Sequence, residues 1–118
     1  MDKETLGYVQ SLKHEDWRGR LKAAGALGTL RTEDSVQALI DALDDEHELV
    51  RREVVPALGN IGPLAKSAVP VLVTKIADKD PEIRKSAVYA LGKIGTASIE
   101  GLPILIDALM SPDVEFRS

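Results

Sequence analysis

The chain has 118 residues with no cysteine, 44% hydrophobic but only 3% aromatic residues, and 15 lysines and arginines against 19 aspartates and glutamates. This composition excludes a disulfide framework and a thiolate zinc site, and the net charge of −4 disfavours a nucleic-acid binder, which needs clustered basic residues. No apolar run approaches the ~18 residues of a membrane span, and the charged amino terminus is unlike a secretory signal, so we expect a cytoplasmic protein.

Apolar residues recur at spacings of three, four and seven, the periodicity of amphipathic helices. The predicted helices, in chain order, cover about 2–12, 17–29, 34–43, 50–60, 67–76, 83–94 and 99–109, and an eighth begins near Val114. Asp80 is a predicted N-cap, and Gly62 and Gly95 are predicted left-handed helix stops. Pro56 falls inside a helix, where it removes one backbone hydrogen bond and predicts a bend.

Internal repeats organise the chain. GRLKAAGALGTL, VRREVVPALGNIG and IRKSAVYALGKIG share one pattern of an arginine, small residues and a Leu-Gly pair. The equivalent arginines, at steps of 31, 33 and 33 residues, are Arg20, Arg51, Arg84 and Arg117. Such a period is typical of stacked repeats, in which each unit buries its apolar face on its neighbours.

The repeats predict a single domain of helix-pair units at about 2–31, 34–62 and 66–95, followed by a truncated unit at 99–118. A unit that stops at half a helix pair would leave an apolar face without a partner. We therefore expect a segment of a longer repeat protein, with weak self-association through the open carboxyl-terminal end.

The paired pattern resembles HEAT repeats, specifically the phycobilisome-lyase-type HEAT-like subgroup, over almost all of the chain. The matching features are a proline in the first helix of a pair (Pro70, Pro103), an aspartate at the turn (Asp45, Asp78), and an apolar-Arg step six residues after that aspartate. The resemblance implies an all-α fold: a right-handed α-solenoid of stacked antiparallel helix pairs.

The resemblance also implies a ladder of hydrogen bonds between neighbouring units, with a structural role. Its predicted members are Asp45, Arg51, Asp78 and Arg84. His14 and Ser111 stand at the aspartate position in the first and last units, so the ladder is expected to be incomplete at both ends.

In HEAT arrays the second helix of each pair lines the concave surface, so its non-core positions are the candidate partner-binding residues. They are Trp17, Arg18, Leu21, Leu49, Arg52, Pro56, Lys85 and Tyr89. Aromatic and arginine side chains on one face are typical of interface centres. The alternative is that Trp17 and Leu21 complete the core of the first unit. On the same interpretation, Pro56 arose by neutral sequence drift that the repeat tolerates.

The pairs His14-Glu15 and His47-Glu48 raise a metal hypothesis, because His-Glu pairs in HEAT-like arrays resemble those that hold iron in deoxyhypusine hydroxylase. However, His14 aligns with Asp45 whereas His47 aligns with Asp80, so the two pairs are not equivalent. We therefore predict surface histidines and no metal site. Since no glycine-rich phosphate loop and no nucleophile–base spacing is present, we predict neither an enzyme nor a cofactor.

The sequence predicts a scaffold that binds another protein in its concave groove, with no membrane partner. Two alternatives stay open. The resemblance allows a bilin-lyase-like or chromophore-chaperone role, because some proteins with these repeats attach or carry bilins. Binding to a nucleic-acid backbone is the other, and the negative net charge counts against it.

Overall fold

The computed structural model describes residues 1–95, which form six α-helices and no strand. The helices are α1 Lys3–Ser11, α2 Trp17–Leu30, α3 Val36–Ala42, α4 Glu48–Ile61, α5 Val69–Lys75 and α6 Pro81–Ile94. Short 3-10 segments, Glu33–Ser35 and Gly62–Ala68, precede α3 and α5. The predicted helix at 99–109, the helix start near Val114 and the predicted unit at 99–118 lie outside the described residues.

The helices pack as three pairs, α1 with α2, α3 with α4, and α5 with α6. The second helix of the last two pairs begins two residues earlier than predicted, because the side chains of His47 and Asp80 cap α4 and α6. The first helix is shorter than predicted in both pairs. In the third pair, 3-10 geometry starts at Gly62-Pro63, and Ala65 leaves helical angles (φ −94°, ψ 19°) before α5 begins.

The second helices end in two different ways. Gly62 (φ 78°, ψ −144°) and Gly95 (φ 70°, ψ −135°) end α4 and α6 with the positive φ that was predicted, but their ψ angles lie outside the left-handed helical region. In contrast, α2 ends at Arg31, a left-handed residue with φ 56° and ψ 46°. The loop after α2 is the shortened one in the repeat and has no glycine at this place, so an arginine adopts a conformation that costs L-residues roughly 1–2 kcal/mol.

The second helices approach one another closely through small residues. A Cβ atom on Gly28 would lie 2.8 Å from the Cα of Ala57, and one on Gly59 would lie 2.9 Å from the Cα of Ala90. The first helices make few direct contacts with one another, and the 3-10 segments fill the space between them. A stack whose units are closer on one side curves toward that side, so α2, α4 and α6 line the concave surface.

One continuous core runs through the three pairs. Leucines from every described helix pair or its flanking turn are buried, and the fully buried ones include Leu27, Leu39, Leu43, Leu58 and Leu72. Each such side chain stabilises the fold by roughly 1.5–3 kcal/mol relative to an exposed position. Because valine and leucine of neighbouring units share this core, each unit depends on the next.

The glycine contacts give a matched pair of variants. Gly28→Ala should destabilise the fold by about 1–3 kcal/mol, because the new methyl group meets the backbone of Ala57. Gly7→Ala should stabilise it by about 0.5–1 kcal/mol, because Gly7 lies within α1 with nothing within 4 Å of an added Cβ. Urea unfolding followed by circular dichroism measures both; a destabilised Gly7→Ala or a neutral Gly28→Ala would contradict this account.

Candidate protein-binding surface

The start of each second helix is fixed by a side-chain cap at an equivalent repeat position. Asp16 accepts a hydrogen bond from the Arg18 amide (3.0 Å) and Asp80 from the Glu82 amide (3.0 Å). His47 occupies the same place in the second unit, and its Nδ1 accepts from the Leu49 amide at 3.1 Å. Because of these caps, α2, α4 and α6 begin at equivalent positions of the repeat. Equivalent side chains of the three helices therefore lie side by side on their shared face.

A second acceptor lies two residues before each cap. His14 Nδ1 accepts from the Asp16 amide (2.9 Å), Asp45 from the His47 amide (2.8 Å), and Asp78 from the Asp80 amide (2.9 Å). In the first two units, therefore, a histidine nitrogen replaces one of the two aspartate oxygens. Both histidines act as acceptors through Nδ1, so this nitrogen is not free to ligate a metal.

The repeated arginines close each turn within its own unit. Arg20 donates from Nη1 to the His14 carbonyl (2.7 Å), Arg51 to the Asp45 carbonyl (2.6 Å) and Arg84 to the Asp78 carbonyl (2.8 Å). Each bond spans six residues, from the second helix back to the turn before it. The apolar-Arg step of the sequence is thus a feature of the turn.

Arg20 also joins the first unit to the second. Its Nε and Nη2 donate to the two carboxylate oxygens of Asp45 at 2.8 and 3.2 Å, and the two side chains are only 9% and 8% exposed. The hydrogen bonds that Arg20 donates to the Asp45 carboxylate raise the pKa of Arg20 above its ordinary value, and burial opposes this rise. Beside this pair, Trp17 stacks on His47 with ring centroids 4.0 Å apart and an interplanar angle of 14°.

Arg52 and Asp80 join the second unit to the third. Arg52 Nε and Nη2 donate to the two oxygens of Asp80 at 2.9 and 3.3 Å, and Nη2 also donates to Glu48 at 2.8 Å. The hydrogen bond from Arg52 lowers the pKa of Asp80, the Glu82 amide lowers it further, and burial opposes both. Arg52 was predicted to bind a partner protein, but its guanidinium group is already bound by Asp80 and Glu48 of this chain.

The predicted ladder differs from this arrangement. Asp45 does join two units, but through Arg20; among the described residues Arg51 makes no side-chain bond to Asp78, and Arg84 bonds within its own turn. Of the two joints within residues 1–95, the second pairs an arginine with an aspartate cap, Arg52 with Asp80, whereas Leu21 and His47 occupy those places at the first joint. The first joint therefore uses the Arg20–Asp45 pair together with the Trp17–His47 stack.

We define the second-helix face as the outward positions of α2, α4 and α6. Its eight predicted binding residues differ in exposure. Trp17 and Leu21 are half-buried against the core, and Pro56 is half-buried in an α4 that continues through it. Leu49 and Tyr89 are 41% and 53% exposed.

The charged positions of this face are occupied in different ways. Arg18 lies over the Trp17 ring, with its Cζ 4.8 Å from the centroid, and Lys85 is exposed. Lys93 was not among the predicted residues, although its Nζ lies 5.7 Å from the Tyr89 ring centroid. Lys93 follows Tyr89 by four residues, about one helical turn, so the sequence already indicated that both lie on the same side of the helix.

Two kinds of feature are absent from residues 1–95. Every helix in this range is too short or too polar to span a lipid bilayer. No group of three or more metal-ligating side chains occurs in the same range. The predicted bend at Pro56 stays a prediction.

The fold and its turns define an all-α solenoid of stacked helix pairs. The family model for HEAT repeats matches residues 6–72 and 64–118, so the chain belongs to the HEAT repeat family. The phycobilisome-lyase-type subgroup is a finer assignment than this match supports. A comparison with curated proteins returned no match.

A solved structure shares the fold. It is the crystal structure of an engineered protein, Northeast Structural Genomics Consortium target OR329, with a TM-score of 0.71 and 22% sequence identity over 97% of this chain. The match spans 59% of that protein's length. At this identity the likeness concerns the fold alone.

Two variants separate the two contributions of His47. His47→Asn keeps a side-chain acceptor for the Leu49 amide and should lose only the stack on Trp17, about 0.5–1.5 kcal/mol. His47→Ala should lose the cap as well, a further ~1 kcal/mol. Chemical unfolding of both variants measures the difference; equal losses would show that the Nδ1 cap contributes nothing.

The bridge between Arg52 and Asp80 predicts a pH dependence. Because the folded state lowers the pKa of Asp80, this contribution to stability is present above its ordinary value of 3.8 and is lost as the pH falls through the lower, folded value. Asp80→Asn keeps a cap but removes the charge. It should be less stable than the original chain near neutral pH, and the gap should close in strong acid. Unfolding curves across the acid range test this; a gap that stays constant would contradict it.

Proposed function

We propose that this chain is a protein-interaction scaffold that binds a partner protein across the second-helix face. HEAT repeats generally act as scaffolds of this kind, and the carrying observation is the exposure of Leu49 and Tyr89 on that face. Large side chains left this exposed lose water favourably on binding, and tyrosine is enriched among residues that dominate binding energy. Catalysis is not part of the proposal.

The surroundings of these two side chains support an interface. Half-buried Trp17, Leu21 and Pro56 lie on the same face and would contribute apolar area around them. The three second helices are held by caps and inter-unit bridges, so the surface is ordered before a partner arrives. A preorganised surface loses less conformational entropy on association.

Two other functions remain as alternatives. A bilin-lyase-like or chromophore-chaperone role predicts a saturable, red-shifted absorbance band when a bilin is added. Binding to a nucleic-acid backbone predicts an affinity that falls steeply with salt. Glu48, Glu53 and Glu82 stand among the basic residues of the second-helix face, and such carboxylates repel phosphate.

Several features of the wider protein stay predictions. They are the cytoplasmic location, the membership of a longer repeat protein, the weak self-association through the carboxyl-terminal end, and the phycobilisome-lyase-type subgroup. None of them alters the use of the second-helix face.

A pull-down with matched variants tests the scaffold. Leu49→Asp with Tyr89→Asp should lose a partner that the original chain retains from lysate. Leu6→Asp with Leu64→Asp, which changes 43% and 49% exposed leucines outside α2, α4 and α6, should retain it. Trp17 is left intact because its stack on His47 supports the start of α4. Circular dichroism must show equal helix content in all three proteins. Equal retention by both double variants would contradict binding at the second-helix face.

A further inference from the structure

Three residues of α6 form a basic stripe around an aromatic ring. Lys85 and Lys93 lie four residues before and after Tyr89, so all three share one side of the helix. All three are exposed, and the Lys93 ammonium lies over the Tyr89 ring at 5.7 Å from its centroid. We call these three residues the α6 stripe.

Unlike Arg18 and Arg52 of the second-helix face, the two lysines of the stripe have no acidic partner within residues 1–95. Arg52 is bound by Asp80 and Glu48, and Arg18 lies 3.6 Å from an Asp16 oxygen. Neither lysine of the stripe makes an ion pair within residues 1–95. Glu82 precedes Lys85 by three residues without pairing with it, so it offsets only part of the charge.

The local charge is opposite to that of the whole chain, which is −4. The negative net charge of the protein would repel an acidic partner, whereas the stripe would attract it. The stripe would therefore determine where such a partner binds. The exposed Tyr89 ring between the lysines adds an apolar contact, which charge alone does not provide.

We infer, on the basis of the proposed function, that the α6 stripe binds an extended protein segment with the order acidic–any–apolar–any–acidic. Eight residues of helix separate the lysine Cα atoms by ~12 Å, at about 1.5 Å per residue. In an extended segment, residues i, i+2 and i+4 face the same way and span ~13 Å. The two carboxylates then meet Lys85 and Lys93 while the central apolar side chain covers the Tyr89 ring.

The test uses the full ¹⁵N-labelled chain and short capped peptides. The probe has the core Glu-Thr-Leu-Thr-Glu; its controls are Lys-Thr-Leu-Thr-Lys and the shuffled Glu-Glu-Thr-Thr-Leu. The first peptide should shift amide resonances of residues 82–93, and both controls should bind several-fold more weakly. Equal binding by the lysine peptide, equal binding by the shuffled peptide, or no shift with the probe would each overturn the inference.

Protein variants locate the effect. Lys85→Glu with Lys93→Glu should weaken the probe at least about tenfold. Lys66→Glu with Lys79→Glu makes the same charge change at exposed lysines outside α6 and should leave the affinity within about twofold. Tyr89→Phe should bind as the original does, and Tyr89→Ala should bind several-fold more weakly. An unchanged affinity in the Lys85/Lys93 variant would overturn the inference.

The outcome is separable from that of the proposed function. If the Leu49/Tyr89 variant loses its lysate partner but the Lys85/Lys93 variant keeps it, the scaffold stands and the acidic segment is wrong. If an oligouridine probe binds through the same lysines as tightly as the peptide, the stripe recognises phosphate, and the inference of a protein segment is overturned.

Discussion

The close approach of the second helices is the constraint on which the rest of the structure depends. Gly28 and Gly59 leave no room for a methyl group against Ala57 and Ala90, so these helices pack nearly backbone to backbone. The first helices are held further apart by 3-10 segments, and the difference between the two layers creates the curvature. A larger residue at either glycine would separate the second helices and flatten the surface that they form.

Much of the fold could be predicted from the sequence because the repeat is visible in it. Aligning the three Arg-bearing segments located all three second helices, and the cap at Asp80 and the stops at Gly62 and Gly95 follow from local chemistry. The 3-10 segment before α5 could not be read as reliably, because its apolar residues fit either helix type. Arg31 was missed since a left-handed arginine has no sequence signature.

The surface was harder to predict than the fold, because side-chain exposure and pairing depend on neighbouring units. Position alone placed Arg52 on the binding face, yet Asp80 of the next unit binds it. The resemblance also placed Arg51 and Asp78 in a ladder between units, but the bridge joins Arg52 to Asp80, which lie one and two residues later. Leu49 and Tyr89 were assigned to the face by the same reasoning, and only their large exposure separates them from half-buried Leu21.

The division of contacts between those within one unit and those that join two units determines how the array unfolds. In each turn the caps and the arginine-to-carbonyl bond lie within one unit. The contacts between neighbouring units include the shared apolar core, a glycine–alanine contact and one arginine–aspartate pair at each joint. Stability is then a sum of unit terms and nearest-neighbour terms, as in a one-dimensional chain of coupled elements. A terminal unit has one joint where an internal unit has two, so opening should start at an end and advance joint by joint.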